Sequence, residues 1–475
     1  MWLPALAAFA AMLPLAGTAG DGLVRAAAFA IAMLAAARLL RDFPYPLRLM
    51  PASRYALCVL PAIGGVAAVL ALELADDDAL FSAGLIAGAL AAITTAFVVE
   101  FIGERLLAHR PLRIAVLGAA DFVPAIRREL DAIGGSHEIE MIGWLNLGES
   151  FSLSGPRADA KTLGRVRAAI TEHEIDLLVR GPGSGSSRGG RDAYDAIAAG
   201  CLDLPVRMID GNQLYEQVFG HVPIGTIDSA WFLFLMHPSF RASSKLSKRA
   251  VDLIVGAIAS IVALPLIAVG ALAILLTDGR PITYRQRRVG ERGREFEIVK
   301  LRTMRPGSDG PGQLWSGADD ERVTAAGRLL RRLHIDELPQ LLNVLRGDMT
   351  LVGPRPEQPQ ITAQLERVFP HYSRRLLVKP GVTGWAQVRC GYAGSELGTA
   401  WKLCHDLFYL KHRSALVDLL IMLETLVIAA RDSHRPLRAP QAGFLFSGAS
   451  GGRDLAGADE SPLDARFAGS ASGGS

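Results

Sequence analysis

Asp336 and Glu337 are adjacent acids at the head of an amphipathic pattern. Behind them Leu338, Leu341, Leu342 and Leu345 recur at i, i+3, i+4 and i+7, the spacing of one helix face. Asp336 suits the N-cap, Pro339 the first turn and Gly347 the end of such a helix. The acid pair is therefore expected at a helix N-terminus, where free N–H groups and the positive dipole end favour carboxylates and phosphates. Taken alone, an Asp in that place is an ordinary cap. Its neighbours say more. Arg328, Arg331 and Arg332 lie just upstream, and Lys300-Leu301-Arg302-Thr303-Met304 precedes them. Downstream, Gly353-Pro354-Arg355-Pro356 reads as a rigid turn that holds one guanidinium. Two acids among fixed cations suit phosphoryl transfer from a diphosphate. One carboxylate attacks, the other holds Mg²⁺, and the cations spread the phosphate charge.

The chain that must position these groups is too apolar for an ordinary soluble enzyme. Half of its 475 residues are hydrophobic, and the mean hydropathy is +0.27. Four apolar stretches, 2–19, 23–40, 55–74 and 80–102, are each about long enough to cross a bilayer. The first ends in a cleavage-like Ala16-Gly17-Thr18-Ala19-Gly20, but its Met1-Trp2-Leu3-Pro4 start lacks the basic n-region of a signal peptide. Arg38, Arg41, Arg48 and Arg54 follow the second stretch, Asp76, Asp77 and Asp78 the third, and Arg105, Arg110 and Arg113 the fourth. Basic loops stay cytoplasmic, so the chain is expected to start inside, cross four times and return inside. A fifth run, 250–276, has Pro265 near its middle and basic flanks on both sides. Proline bends a helix, and two basic flanks belong on one side of the membrane. The expectation is a re-entrant helix hairpin, with a tilted fifth span as the alternative. The net charge of +3 gives no global basic field for nucleic acid. Cys58, Cys201, Cys390 and Cys404 are scattered, without Cys-x-x-Cys, and suggest neither disulfides nor zinc.

Residues 112–235 read as α/β. Strands are expected at 113–117, 140–145, 175–180 and 206–209, with helices between, which suggests a parallel sheet. A dinucleotide site is disfavoured. Gly118-Ala119-Ala120-Asp121 follows the first strand in place of Gly-x-Gly-x-x-Gly, and no acid is evident to hold a ribose. The glycine- and serine-rich stretch 181–190 reads as a flexible loop. Near the C-terminus, 416–430 reads as an interfacial helix, with core packing as the alternative. The tail 436–475 is rich in Gly, Ala and Ser and is expected to be disordered.

Several ordered blocks carry a family resemblance: Lys300 to Met304; Gly327-Arg328 leading into Asp336-Glu337-Leu338-Pro339-Gln340; Asn343 through Pro356; and Lys379-Pro380-Gly381-Val382-Thr383-Gly384-Trp385-Ala386-Gln387-Val388. They resemble the bacterial sugar transferases, the polyprenyl-phosphate hexose-1-phosphate transferases or monotopic phosphoglycosyl transferases of surface-polysaccharide synthesis. The resemblance covers about 245–435. Together with the leading helices and the α/β region, it points to the large, exopolysaccharide-type members. It implies a two-step reaction. Asp336 would attack the sugar-bearing phosphate of a UDP-sugar, release UMP and carry the phosphosugar covalently. Undecaprenyl phosphate would then accept it. Glu337 would bind Mg²⁺. Arg331 and Arg355 would contact the phosphates, with Lys300 and Arg302 nearby and Gly353, Pro354 and Pro356 framing Arg355. Glucose is the expected sugar, with galactose close behind. Two departures stand out. Leu264 precedes the hairpin proline, where the family often has Ser, and His334 stands two before Asp336 in place of another Ser.

The expected architecture has four parts. A membrane α-helical bundle occupies 1–108, and a degenerate Rossmann-like cytoplasmic domain 109–240. An α-rich, α+β catalytic domain with the re-entrant helix 250–276 occupies 241–435, and the tail the rest. The expected place is the bacterial inner membrane, multi-pass, with the catalytic domain on the cytoplasmic face and the lipid bilayer as a partner. A homo-oligomer stays open. Two rivals are weaker. A nucleotide-sugar dehydratase or epimerase would need Tyr-x-x-x-Lys, which does not occur. A non-catalytic scaffold would leave the acid pair as a mere cap.

Overall fold

A computed structural model describes residues 111–117, 122–133, 139–145, 160–181, 188–224, 245–305, 321–369, 371–390 and 396–431, with a few isolated positions besides. The four expected N-terminal spans, Cys58 and the tail 436–475 lie outside the described residues, apart from short helical pieces such as 26–32. Residues 1–114 with 134–142 form one compact unit, and 115–133 with 143–475 another.

The α/β region follows the expected alternation. Strands β1 (Leu112–Leu117), β2 (Ile139–Leu145), β3 (Leu177–Arg180) and β4 (Arg207–Asp210) form a sheet in the order β2-β1-β3-β4. Helices α1 (Phe122–Ile133), α2 (Ala160–Glu172) and α3 (Arg188–Gly200) connect them. β3 and β4 run parallel, with Leu177 opposite Arg207. Ala115, Leu117, Val166, Ile170, Leu178 and Ile197 form the core. The expected loop 181–190 is shorter than anticipated, because α3 already begins at Arg188. Glycine content alone misplaced that boundary. Cys201, Cys390 and Cys404 are buried free thiols.

The long helix α4 (Lys245–Thr277) is helical through Pro265, so the expected break in the helix at that residue is not seen. It is long and apolar enough to cross a membrane. Its outer face exposes Ile254, Ile258, Ile261, Val262, Leu264, Val269 and Leu276. Its inner face lies against the body that follows. Gly256 sits over Val344 and Leu345. At Gly270 a Cβ would come within 2.9 Å of Leu301 and 3.3 Å of Ile335, so a larger residue there would push these side chains aside.

Polar contacts tie both ends of α4 to the same body. Near its start, Arg249 donates to the carbonyls of Val344 and Leu345 at 2.6 and 2.7 Å. These belong to the last turn of α6 (Leu341–Arg346), where the Val344 carbonyl also accepts from the Gly347 N–H at 3.1 Å. Asp252, also buried, accepts from Thr350 Oγ1 at 2.8 Å and from the Leu351 N–H at 3.0 Å. Lys248 pairs with Asp418 at 2.5 Å. Past its end, Arg302 donates to the carbonyls of Asp278 and Gly279 at 2.8 and 2.9 Å.

The body itself has a hairpin of β5 (Thr283–Val289) and β6 (Glu295–Leu301), helix α5 (Ala325–Arg332) and a 3-10 turn, Ile335–Gln340, that leads into α6. Strand β7 (Thr350–Val352) pairs in parallel with β8 (Gly381–Thr383). Helix α7 (Pro359–Val368) and a 3-10 turn, Tyr372–Leu377, lie between them. Helices α8 (Trp385–Cys390), α9 (Glu396–His412) and α10 (Ala415–Arg431) complete the body. α10 buries Val417, Leu420, Ile421, Asp418 and Glu424. That face packs in the core, the alternative to an interfacial helix.

Asp252→Ala leaves a buried hydroxyl and a buried N–H without acceptors, at a cost of about 1–3 kcal/mol for each. A lower melting midpoint of the detergent-purified protein is expected. An unchanged midpoint would show that α4 is held to β7 by apolar contact alone.

Candidate active site

The acid pair does not begin an α-helix. Asp336 and Glu337 lie inside the 3-10 turn, and the residue at its N-cap is His334, in the left-handed region at φ 54°. The expectation of Asp336 as cap is corrected. Pro339 brings no N–H to the turn, and the α-helical pattern starts only at Leu341. Gly347 ends α6 as expected, at φ 98°.

Three elements bring cations to this turn. Lys300 comes from β6, where it sits opposite Tyr284. Arg331 comes from the last turn of α5, its Nε donating to Thr303 Oγ1 at 2.9 Å. Arg355 comes from the loop after β7. That loop is set by close backbone packing. The Gly353 N–H donates to Thr383 O at 2.9 Å, and the Gly381 N–H to Pro354 O at 3.0 Å. A Cβ on Gly353 would lie 2.5 Å from Lys379 O, and one on Gly381 2.1 Å from Gly353 N. Two distant glycine blocks thus meet to build one turn.

The two acids have different surroundings. Glu337 accepts from Lys300 Nζ at 2.7 Å, and Arg355 grips both of its oxygens, one of them at 3.1 Å. Burial opposes its charge, but Arg355 and Lys300 outweigh burial and hold this carboxyl well below the usual range. Asp336 is 7% exposed and its carboxylate makes no hydrogen bond among the described residues. Burial, and then the charge of Glu337, push it up to about 6, against the pull of Lys300, Arg331 and Arg355. One carboxylate is locked as an anion, and its neighbour is desolvated and unshared.

Of the residues expected at the site, Asp336, Glu337, Lys300, Arg331 and Arg355 come together. Arg302 is turned away, to the carbonyls beyond α4. Gly353, Pro354 and Pro356 serve through the backbone of the Arg355 turn. Three residues were not anticipated. Arg288 donates to Pro356 O at 3.1 Å. Glu357 lies 3.6 Å from Arg288. Arg375 donates to Arg355 O at 2.9 Å. No motif marked them, since a lone charged residue has no readable direction. Asp406 pairs with Arg375, and His405 is buried against Cys390 and Trp401. Among the described residues, no three His, Cys, Asp or Glu side chains cluster as metal ligands.

Comparison with known proteins places the chain in a family. The profile of the "Bacterial sugar transferase" family matches residues 243–432. A UDP-N-acetylgalactosamine-undecaprenyl-phosphate N-acetylgalactosaminephosphotransferase of Aeromonas hydrophila is 42% identical over 337 residues, 70% of each chain. A UDP-glucose:undecaprenyl-phosphate glucose-1-phosphate transferase of Caulobacter vibrioides is 42% identical over 190 residues, 40% of this chain and 71% of its own. An exopolysaccharide production protein of Sinorhizobium fredii is 32% identical over 223 residues, 43% of this chain and 96% of its own.

Glu337→Gln removes the anion beside Asp336 and leaves Lys300 and Arg355 to act on it. The Asp336 carboxyl should then titrate below about 6. The pH dependence of its modification by a water-soluble carbodiimide, mapped by mass spectrometry, measures this. An unmoved profile would refute the coupling of the two acids.

Proposed function

Because the chain belongs to the bacterial sugar transferase family, and is thus a phosphoglycosyl transferase, we propose that it moves a hexose-1-phosphate from a UDP-sugar to undecaprenyl phosphate through an aspartyl-phosphosugar. The contrast between the two acids carries this reading. Glu337 is consumed by two cations, while Asp336 is unshared and desolvated, as a carboxylate nucleophile requires. An Asp336 oxygen bonds to the sugar-bearing phosphorus, and the bond from that phosphorus to the UMP oxygen breaks, releasing UMP. A phosphate oxygen of undecaprenyl phosphate then attacks the same phosphorus. The aspartyl–phosphorus bond breaks, the carboxylate is restored, and undecaprenyl-diphospho-sugar leaves. Arg355, Arg331 and Lys300 spread the charge of the diphosphate, and their fixed positions lower the barrier.

Mg²⁺ is the proposed cofactor, with Glu337 as its ligand. The donor type fits: two neighbouring carboxylates offer oxygen only, and Mg²⁺ takes one or two of these with substrate phosphates and water. Both Glu337 oxygens already accept from Lys300 and Arg355, so the ion would have to displace one of these donors. When bound, it would neutralise charge on the diphosphate.

The proposed place is the bacterial inner membrane. Four spans over 1–108 precede the cytoplasmic α/β domain 109–240 and the catalytic domain 241–435. Support for a re-entrant α4 comes from its two ends, both bound to the same body, and from its apolar outer face. The proposed role is the first membrane step of exopolysaccharide or capsule synthesis. Glucose is the first sugar reading. A specific observation favours N-acetylgalactosamine as the second: the Aeromonas relative matches 70% of this chain, and the Caulobacter relative 40%.

Asp336→Asn should abolish UMP release from UDP-sugars by a folded protein. Retained turnover would overturn the mechanism. A panel of UDP-glucose, UDP-galactose and UDP-N-acetylgalactosamine with undecaprenyl phosphate reads the sugar. EDTA should stop turnover and added Mg²⁺ restore it. Only ionised Asp336 attacks, and its pKa is raised to about 6. The kcat/KM should therefore be full above that pH and fall about tenfold per unit below it. Activity flat down to pH 4 would rule out this titration.

A further inference from the structure

Arg375 and Asp406 form a buried ion pair behind the transfer site. Arg375 lies on the 3-10 turn Tyr372–Leu377, and Asp406 on α9. Their side chains are 6% and 3% exposed. Arg375 Nε donates to Asp406 Oδ2 at 2.8 Å, and Nη2 lies 2.7 Å from the same oxygen. Nη1 donates to the Tyr372 hydroxyl at 2.9 Å. The third bond runs to the carbonyl of Arg355 at 2.9 Å. Arg355 is thus held by its backbone from one side, and its guanidinium is left to grip Glu337 on the other.

A buried pair of charges is costly to desolvate, and its general worth to stability is small or negative. This pair meets that cost with geometry. The guanidinium is planar and forked, so a fixed Asp406 fixes where the remaining N–H points. That N–H meets the carbonyl of Arg355, whose guanidinium grips Glu337. Asp406 in turn is rigid, because α9 packs Leu403, Leu407 and Phe408 into the core.

We propose that Arg375 and Asp406 are positioning residues for phosphosugar transfer, which act through Arg355. The proposal rests on the reading of Asp336 as the reacting carboxylate. Neither residue touches the acid pair, so both act at one remove. Arg288, on β5, supports the same turn through Pro356 O. The turn is therefore held at two successive carbonyls by two guanidinium groups. A loop that must carry one cation to a buried acid needs such anchorage, since a displacement of about 1 Å can cost a hundredfold in rate.

A double-mutant cycle tests this, with UMP release from a UDP-sugar as the readout. Asp406→Asn alone should lower kcat/KM by about tenfold or more, mostly in kcat. In an Arg355→Ala background the same change should cost less than about twofold, because its target is already gone. Arg355→Lys serves as background if the alanine variant is too slow to measure. Arg375→Lys keeps a charge for Asp406 and loses the fork, and should show the same non-additivity. It is the second entry to the cycle if Asp406→Asn does not fold. Equal losses in both backgrounds would assign the pair to stability and overturn the proposal, as would failure of both single variants to fold. Turnover that survives Asp336→Asn would instead remove the mechanism itself, so the two failures are separable.

Discussion

The structure of the site depends on one interaction, the grip of Lys300 and Arg355 on Glu337. A buried carboxylate is expensive unless it is paired and hydrogen-bonded. Here both oxygens are satisfied by two cations from separate parts of the chain. The hairpin β5–β6 delivers one, and the turn after β7 the other. The 3-10 turn between them is fixed in consequence. Asp336 then has no cation of its own. It sits beside a locked anion, in a place with little water, and keeps its lone pairs free. The two acids are adjacent in sequence and chemically unlike, because the turn hands the partners to one of them.

The long apolar helix belongs to the same construction. Gly270 lets it approach Ile335, the residue before Asp336. Asp252 holds β7, from whose end the Arg355 turn departs. Arg249 closes α6, the helix that the acid turn feeds. Each contact comes from the inner face, while the outer face shows only apolar side chains along its middle. On the proposed re-entrant reading, a helix bound at both ends to one body would leave that body on one side of a bilayer. Its outer face is then available to lipid, and the acid turn lies one residue from the helix that lipid would cover. That is a suitable place to meet a carrier with an apolar tail and a phosphate head.

Much of this could be read from the chain, for identifiable reasons. The strands of the α/β sheet follow short apolar runs between helical periods, and each lies within a few residues of its expected place. The cationic ring around the acid pair was legible because Lys300, Arg331 and Arg355 fall in dense, ordered blocks. The start of the acid helix was misread. Periodicity reports which residues share a face, and it cannot see that His334 takes a left-handed conformation and that Pro339 stands in a tighter turn. Arg302 was misread for a related reason. Two places after Lys300 it should share a strand face, but β6 ends at Leu301 and the alternation ends with it. Arg288 and Arg375 carry no local signal, and Asp406 resembles an acidic position of the family without showing its role. Their meaning is created by contacts across 68, 20 and 31 positions of chain.

The same charges limit what the site can discriminate. On the proposed function, Lys300, Arg331 and Arg355 would meet the diphosphate, which presents the same anion whichever hexose it carries. Two relatives are named for different sugars, one for an N-acetylgalactosamine phosphate and another for a glucose phosphate. A hydroxyl or acetamido group differs from its epimer by direction and hydrogen bonding, which fixed cations sense weakly and a shaped polar pocket senses strongly. The choice of sugar therefore falls to side chains beyond the cationic ring. His334 is the nearest departure from the family pattern, and its strained backbone holds it two residues from the nucleophile.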